Sequence, residues 1–133
     1  MELVQWLIAV LDEDEVVARA ALPGPWKIAN SGEVVASESE SGPGDLMYVT
    51  CDSEGLLPSV NESDARHIAL HDPTAVLADI AAKRRLLNLC AEWEAMALAS
   101  PTTWSVLLVC AKNTRNILAT AYAHRAGYQN SWA

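Results

Sequence analysis

Three proline-bearing breaks constrain this chain more than any other feature. Pro23-Gly24-Pro25, Asp72-Pro73 and Ser100-Pro101 each stop a helix or restart one. Proline cannot continue a helix from its interior, disfavours helical geometry at the preceding residue, and suits the first helical position. Before the first break, residues 2–22 place Leu3, Leu7, Val10, Val17 and Ala21 within one arc at about 100° per residue, which predicts an amphipathic helix. After Asp72-Pro73 a long helix is expected to about residue 99, with Asp72 as its N-cap. One apolar side of it carries Val76, Leu77, Ile80 and Leu87, and another carries Leu86, Leu89, Cys90 and Trp93. Ser100-Pro101 repeats the device and starts a last helix to about residue 124. Residues 102–110 are rich in β-branched side chains, so a strand is the second choice there.

Between the first two breaks the texture changes. Residues 26–29, 33–37 and 46–51 read as short strands around an Asn30-Ser31-Gly32 turn and the loop at 38–45, a three-stranded antiparallel meander. A further loop at 52–62 leads to a short helix over 64–71, with Ser63 as its cap. Three short strands need a helix against them. The fold expected is therefore α+β: an N-terminal helix, a small meander, then a short helix and two long helices packed on it. Neither a repeat nor a linker divides the 133 residues, so one domain is expected.

The chain has five Trp and no Phe, and each indole N–H wants a partner, which favours positions at the edge of a core. The net charge of −8 is uneven. Residues 1–64 hold 13 acids against Arg19 and Lys27, giving −11; residues 65–133 hold 4 acids against 7 bases, giving +3. An acidic half disfavours direct nucleic-acid binding, which depends on clustered cations. The asymmetry is expected to be satisfied inside the fold, the alternatives being head-to-tail association or a basic partner. No uncharged apolar run is long enough to span a bilayer, and Met1-Glu2-Leu3 does not open like a secretory signal. Cys51, Cys90 and Cys110 are odd in number and scattered, which fits reduced thiols in a cytoplasm.

Few residues invite chemistry. His67 and His71 are four apart, the spacing of two metal ligands on one helix face, and Asp72 stands beside them. Cys51, Cys90, Cys110 or His124 could complete a zinc site. The plain reading is one packed and one solvated histidine. Asp72 is explained by capping alone, and no nucleophile, phosphate-loop or HExxH motif accompanies it. Lys83-Arg84-Arg85 points in three directions on a helix, so it is a solvated or internally paired cluster rather than a phosphate stripe. Trp93, Trp104 and Trp132 read as core and rim residues rather than base-stacking platforms. Asp14 and Arg84 each interrupt an apolar arc. The simplest resolution is a mutual charge pair, the alternative being a first helix that frays around Asp14.

LDEDEVVARAA at 11–21, Gly24-Pro25-Trp26, HIALHDPTAVLADIAAKRRLL at 67–87 and, less closely, the ending at 118–132 resemble a family of small proteins of unknown function from actinobacteria and their phages. HDP-x-x-VL-x-x-x-x-AKR is the most specific part. The ending departs from the family, whose His-Pro pair falls near Arg125-Ala126, so the resemblance assigns no role to His124. The resemblance implies an intracellular setting and a phage or mobile-element origin, and no chemistry. Together these readings lead to the expectation of a non-catalytic interaction or regulatory factor acting on another protein, with a homodimer left open. The alternative is a small metal-binding protein or metal-dependent enzyme built on His67 and His71.

Overall fold

The computed structural model describes residues 1–29, 32–36, 47–50 and 61–133. Cys51 and most of the two loops expected between the strands and before the short helix lie outside these residues. The elements are α1 (Leu3–Ala20), β1 (Trp26–Ile28), β2 (Val34–Ala36), β3 (Met47–Tyr48), α2 (Glu62–Leu70), α3 (Pro73–Ala99), α4 (Pro101–Trp104) and α5 (Val106–Thr120), followed by a 3-10 turn at Asn130–Trp132. The class is α+β and mostly helical. Residues 102–110 are helical rather than extended, and Ser105, itself in the right-handed region, joins α4 to α5. The last helix ends at Thr120, short of residue 124, where the backbone tightens into bonds from Tyr122 N–H to the Ala119 carbonyl and from Arg125 N–H to the Tyr122 carbonyl.

The chain forms two compact units, residues 1–13 with 80–133, and residues 14–79. In the second, β1 and β2 pair antiparallel with Trp26 opposite Ala36 and Ile28 opposite Val34. β3 adds a two-residue pairing to the other edge of β2. The sheet is therefore smaller than the expected meander, with two three-residue strands as its body. Every residue of β2 is buried, and α2 covers β1 and β2. That short helix starts earlier than its sequence suggested, and its cap is Asn61 rather than Ser63. Asn61 Oδ1 accepts from Asp64 N–H at 2.9 Å while its amide donates to the Asp64 carboxylate at 2.6 Å, so one side chain satisfies the helix start and holds its third residue.

The first unit is built on Trp6, Leu7, Val10 and Leu11 of α1, with Ile80, Leu87, Cys90 and Ala97 of α3 and Ala111, Leu118, Ala119 and Tyr122 near the C-terminus. Its α3 residues fall on a single stripe. It draws on both expected sides, with Ile80 and Leu87 from one and fully buried Cys90 from the other, while Leu89 of the second side is 37% exposed. Trp6 donates its indole N–H to the Ala126 carbonyl at 3.0 Å and stacks obliquely on Tyr128 and Trp132, with centroids 5.8 and 5.1 Å away. Gly127 passes over this ring at φ 84°, and a Cβ there would lie 3.0 Å from Trp6 Nε1. Gly32 has a similar φ of 94° but open space around it. Gly127→Ala is therefore expected to cost roughly 1–3 kcal/mol, and more than Gly32→Ala, because strain and crowding add at one position and not at the other. Urea denaturation of the two variants checks the order; equal losses would show that the ring yields freely.

Candidate functional site

Two segments far apart in sequence meet in the second unit. Asp72, only 6% exposed, directs Oδ1 to Ala75 N–H at 2.7 Å, which caps α3 as its sequence indicated. Its Oδ2 does something the sequence did not show: it accepts the backbone N–H of Trp26 at 2.9 Å. The Gly24–Pro25 peptide is cis, and a Cβ on Gly24 would sit 2.4 Å from Thr74 Oγ1 and 2.8 Å from Asp72 Oδ2. Gly24-Pro25-Trp26 and Asp72-Pro73-Thr74 thus interlock at one corner, with Asp72 tying the entry to β1 to the start of α3. The Trp26 indole N–H closes on the Leu22 carbonyl at 2.9 Å.

Beside this corner is a groove of about 340 Å³ lined by Asp14, Val17, Ala18, Ala21, Trp26, His71, Pro73 and Val76. Only the end of the α1 arc, Val17 and Ala21, reaches it, beside half-buried Asp14, and Val17, expected inside, is well exposed. His71 Nδ1 donates to the His67 carbonyl at 2.8 Å, and the two exposed rings lie 4.3 Å apart between centroids. When His71 is neutral this bond fixes the proton on Nδ1 and leaves Nε2 as an acceptor. The pair shares a face, as its spacing required. Among the described residues no group of three or more His, Cys, Asp or Glu is gathered for a metal.

In the first unit the buried stripe of α3 (Ile80, Leu87, Cys90, Ala97) is interrupted by Lys83, Arg84 and Glu94. Lys83 donates to Tyr122 Oη at 2.8 Å, and Arg84 meets Asp12 at 2.6 Å in a half-exposed pair. Arg125 likewise meets Glu13 at 2.6 Å. Acids of the first half are thus answered by bases of the second, and the Lys83-Arg84-Arg85 run is in part paired within the fold. Glu94 holds Arg115 in a two-pronged pair whose second bond, Arg115 Nη2 to Oε2, is 2.8 Å. The hydrogen bond from Arg115 holds the Glu94 carboxyl below its ordinary range against the opposing effect of burial, and Glu94 in turn raises Arg115. Arg115 Nε is buried without a hydrogen-bond partner. Cys90 is fully buried, and that desolvation pushes its thiol up although Arg115 pulls it back. Sequence reading missed this pair, yet Glu94 sits four residues after Cys90 on the same stripe.

Cys110 is exposed, and both described cysteines are free. A soluble thiol reagent is expected to modify Cys110 in the native protein and Cys90 only on unfolding, since burial and a raised pKa both withhold its thiolate. Peptide mass mapping checks this; early Cys90 labelling, or a disulfide joining two cysteines of one chain, would overturn it.

A second missed feature is the outward side of α5. Val106, Val109 and Ile117 are 61%, 57% and 70% exposed, and Cys110 and Asn113 lie exposed on the same side. Thr102 and Thr103 extend this uncharged stripe through α4, and Thr120 continues it to the end of α5. The helix is therefore apolar on two faces and uses only one of them in its own core. Its signal in sequence was the apolar recurrence at 106, 109, 110 and 117, obscured by β-branched residues that also suit a strand.

Among the described residues no helix is long and apolar enough to cross a membrane. A family model described as a family of unknown function (DUF6221) matches residues 1–133, the whole chain. Searches of curated proteins and of solved structures returned no match.

Proposed function

The chain belongs to the DUF6221 family of unknown function, and we propose that it is a non-catalytic interaction factor that works by docking protein on the outward face of α4–α5. The observation that carries this reading is the uncharged stripe with Val106, Val109 and Ile117 in solvent. β-branched side chains are poor helix formers, and left in water they return nothing for that cost. Burying each would contribute about 1.5–3 kcal/mol, so a contact made there is energetically useful. A regulatory role in a cytoplasm, in an actinobacterial or phage setting, suits this reading and the resemblance of the 67–87 segment. Affinity capture from an actinobacterial lysate with the wild-type chain and with Ile117→Arg tests it. Proteins retained by the first and lost by the second support the docking face, while identical captured sets sink it.

A second reading is favoured by one specific arrangement. His71 donates Nδ1–H to a backbone carbonyl, the second-shell pattern that orients a metal-ligating imidazole, and His67 lies on the same face. On this reading the two histidines bind zinc. Elemental analysis of chain purified without chelator or tag decides it: stoichiometric zinc supports a metal protein, and its absence removes the alternative. The Asp14–Arg84 charge pair is likewise a proposal, tested by a double-mutant cycle. Strongly non-additive losses in Asp14→Ala and Arg84→Ala support it, and small additive ones refute it.

A further inference from the structure

We infer that the occupant of the α4–α5 face is a second copy of this chain, joined through a two-helix seam centred on Asn113; this rests on the docking reading above and names its partner. The spacing is the first argument. Thr103, Val106, Cys110, Asn113, Ile117 and Thr120 recur at alternating steps of three and four, the period at which one helix stays in register with another. All six are exposed. These six positions therefore form one uncharged row along α4–α5, along which a second helix can lie.

Charge selects which helix. Heterologous coiled coils choose partners through opposite charges beside the seam. The positions flanking this one are Leu107, Val109, Thr114, Asn116 and Ala121, with no charge among them. Two copies can meet there without like-charge repulsion, and no feature favours a differently charged partner. The chain as a whole carries net charge −8 and repels its copy, but residues 95–133 contain neither Asp nor Glu. Two of the cations in that stretch, Arg115 and Arg125, are already answered by Glu94 and Glu13.

Asn113 supplies the third argument. An amide is both donor and acceptor, so an asparagine facing its own copy satisfies both groups, whereas against an apolar partner it would be buried unsatisfied. A single asparagine in an apolar seam is a known device for fixing register at some cost in affinity. The seam, 18 residues from Thr103 to Thr120, spans about 27 Å, so the contact is small and reversible.

Sedimentation equilibrium of the full chain is expected to show the mass rising from 14.3 kDa towards twice that value. The rise should fall between about 1 and 500 µM, the range of weak, reversible association. Ile117→Arg is expected to return the chain to monomer across that range with an unchanged thermal unfolding curve, since Ile117 is 70% exposed and outside the core. Asn113→Asp, which sets two carboxylates face to face only in the dimer, should weaken association on the order of a hundredfold. Lys112→Glu, off the seam, should leave it unchanged. A chain that stays monomeric to the top of the range overturns the inference, as does a dimer indifferent to both seam variants. If the monomer still captures proteins that Ile117→Arg loses, the docking face stands and its occupant is another protein.

Discussion

Replacing Asp72 by Asn is expected to destabilise the protein by about 1–3 kcal/mol, and Asp72→Ala by about 2–4, because both carboxylate oxygens are committed to backbone donors. Oδ1 takes Ala75 N–H and Oδ2 takes Trp26 N–H, in a site from which water is largely excluded. An amide offers one acceptor and one donor. Whichever way it turns, its NH2 faces a backbone N–H that then has no partner. Had Asp72 served only as a cap, Asn would be close to neutral and Ala would cost about 0.5–2 kcal/mol. A large loss on Asp72→Asn thus reports the junction with Trp26, and it does not require a metal or a catalytic base to explain it. Gly24→Ala supplies the control, since its Cβ would intrude on Thr74 and on the same Asp72 oxygen. Denaturant titration of both single variants and the double should give strongly sub-additive losses, because one junction can be broken only once. An Asn variant within about 0.5 kcal/mol of wild type, the spread of an ordinary surface change, would rule the junction out as a source of stability.

The same residue shows how far sequence alone reaches. Asp72 was legible as a cap because Asp-Pro is a local signal, readable within four residues. Its second bond joins positions 46 residues apart and has no local signature. The helices α1, α3 and the α4–α5 run were legible from periodicity and proline, with ends displaced by a few residues. Residues 102–110 were not decided by composition, because β-branched side chains suit a strand and a helix with two apolar faces alike. For α2 the sequence pointed to Ser63 as the cap, whereas the reciprocal bonds between Asn61 and Asp64, which no local pattern announced, make it Asn61. Among charges, Arg84 drew attention because it stands in an obvious apolar arc. Glu94 did not, although it interrupts the buried stripe between Cys90 and Ala97. A carboxylate between two alanine-rich turns reads as solvated until its arginine is found 21 residues later.

That arginine sets the other large expectation. Glu94→Gln should cost about 2–4 kcal/mol, while Arg115→Met should cost about 1–2, an asymmetry that follows from burial. Arg115 has a side chain 13% exposed and a buried Nε already without a partner, so removing Glu94 strands a cation with little water to turn to. Glu94 is 37% exposed; once Arg115 is gone its carboxylate can rotate into solvent, which lowers the penalty from the range typical of fully buried pairs. Replacing both, as Glu94→Leu with Arg115→Met, should recover most of the loss, since the desolvation of both charges is then avoided. The pair also fixes a pH dependence. The folded Glu94 carboxyl titrates below its unfolded value, so its stabilisation is complete above the unfolded pKa of about 4.3. It is lost as pH falls through the lower folded value. Wild type should therefore lose stability on acidification below about pH 5, and Glu94→Gln should show a shallower decline over the same interval. Urea midpoints measured from neutral pH down to about pH 3 test both statements. Parallel pH curves for the two proteins would mean that Glu94 contributes no linked proton, and equal losses in the two single variants would mean that burial does not set the cost.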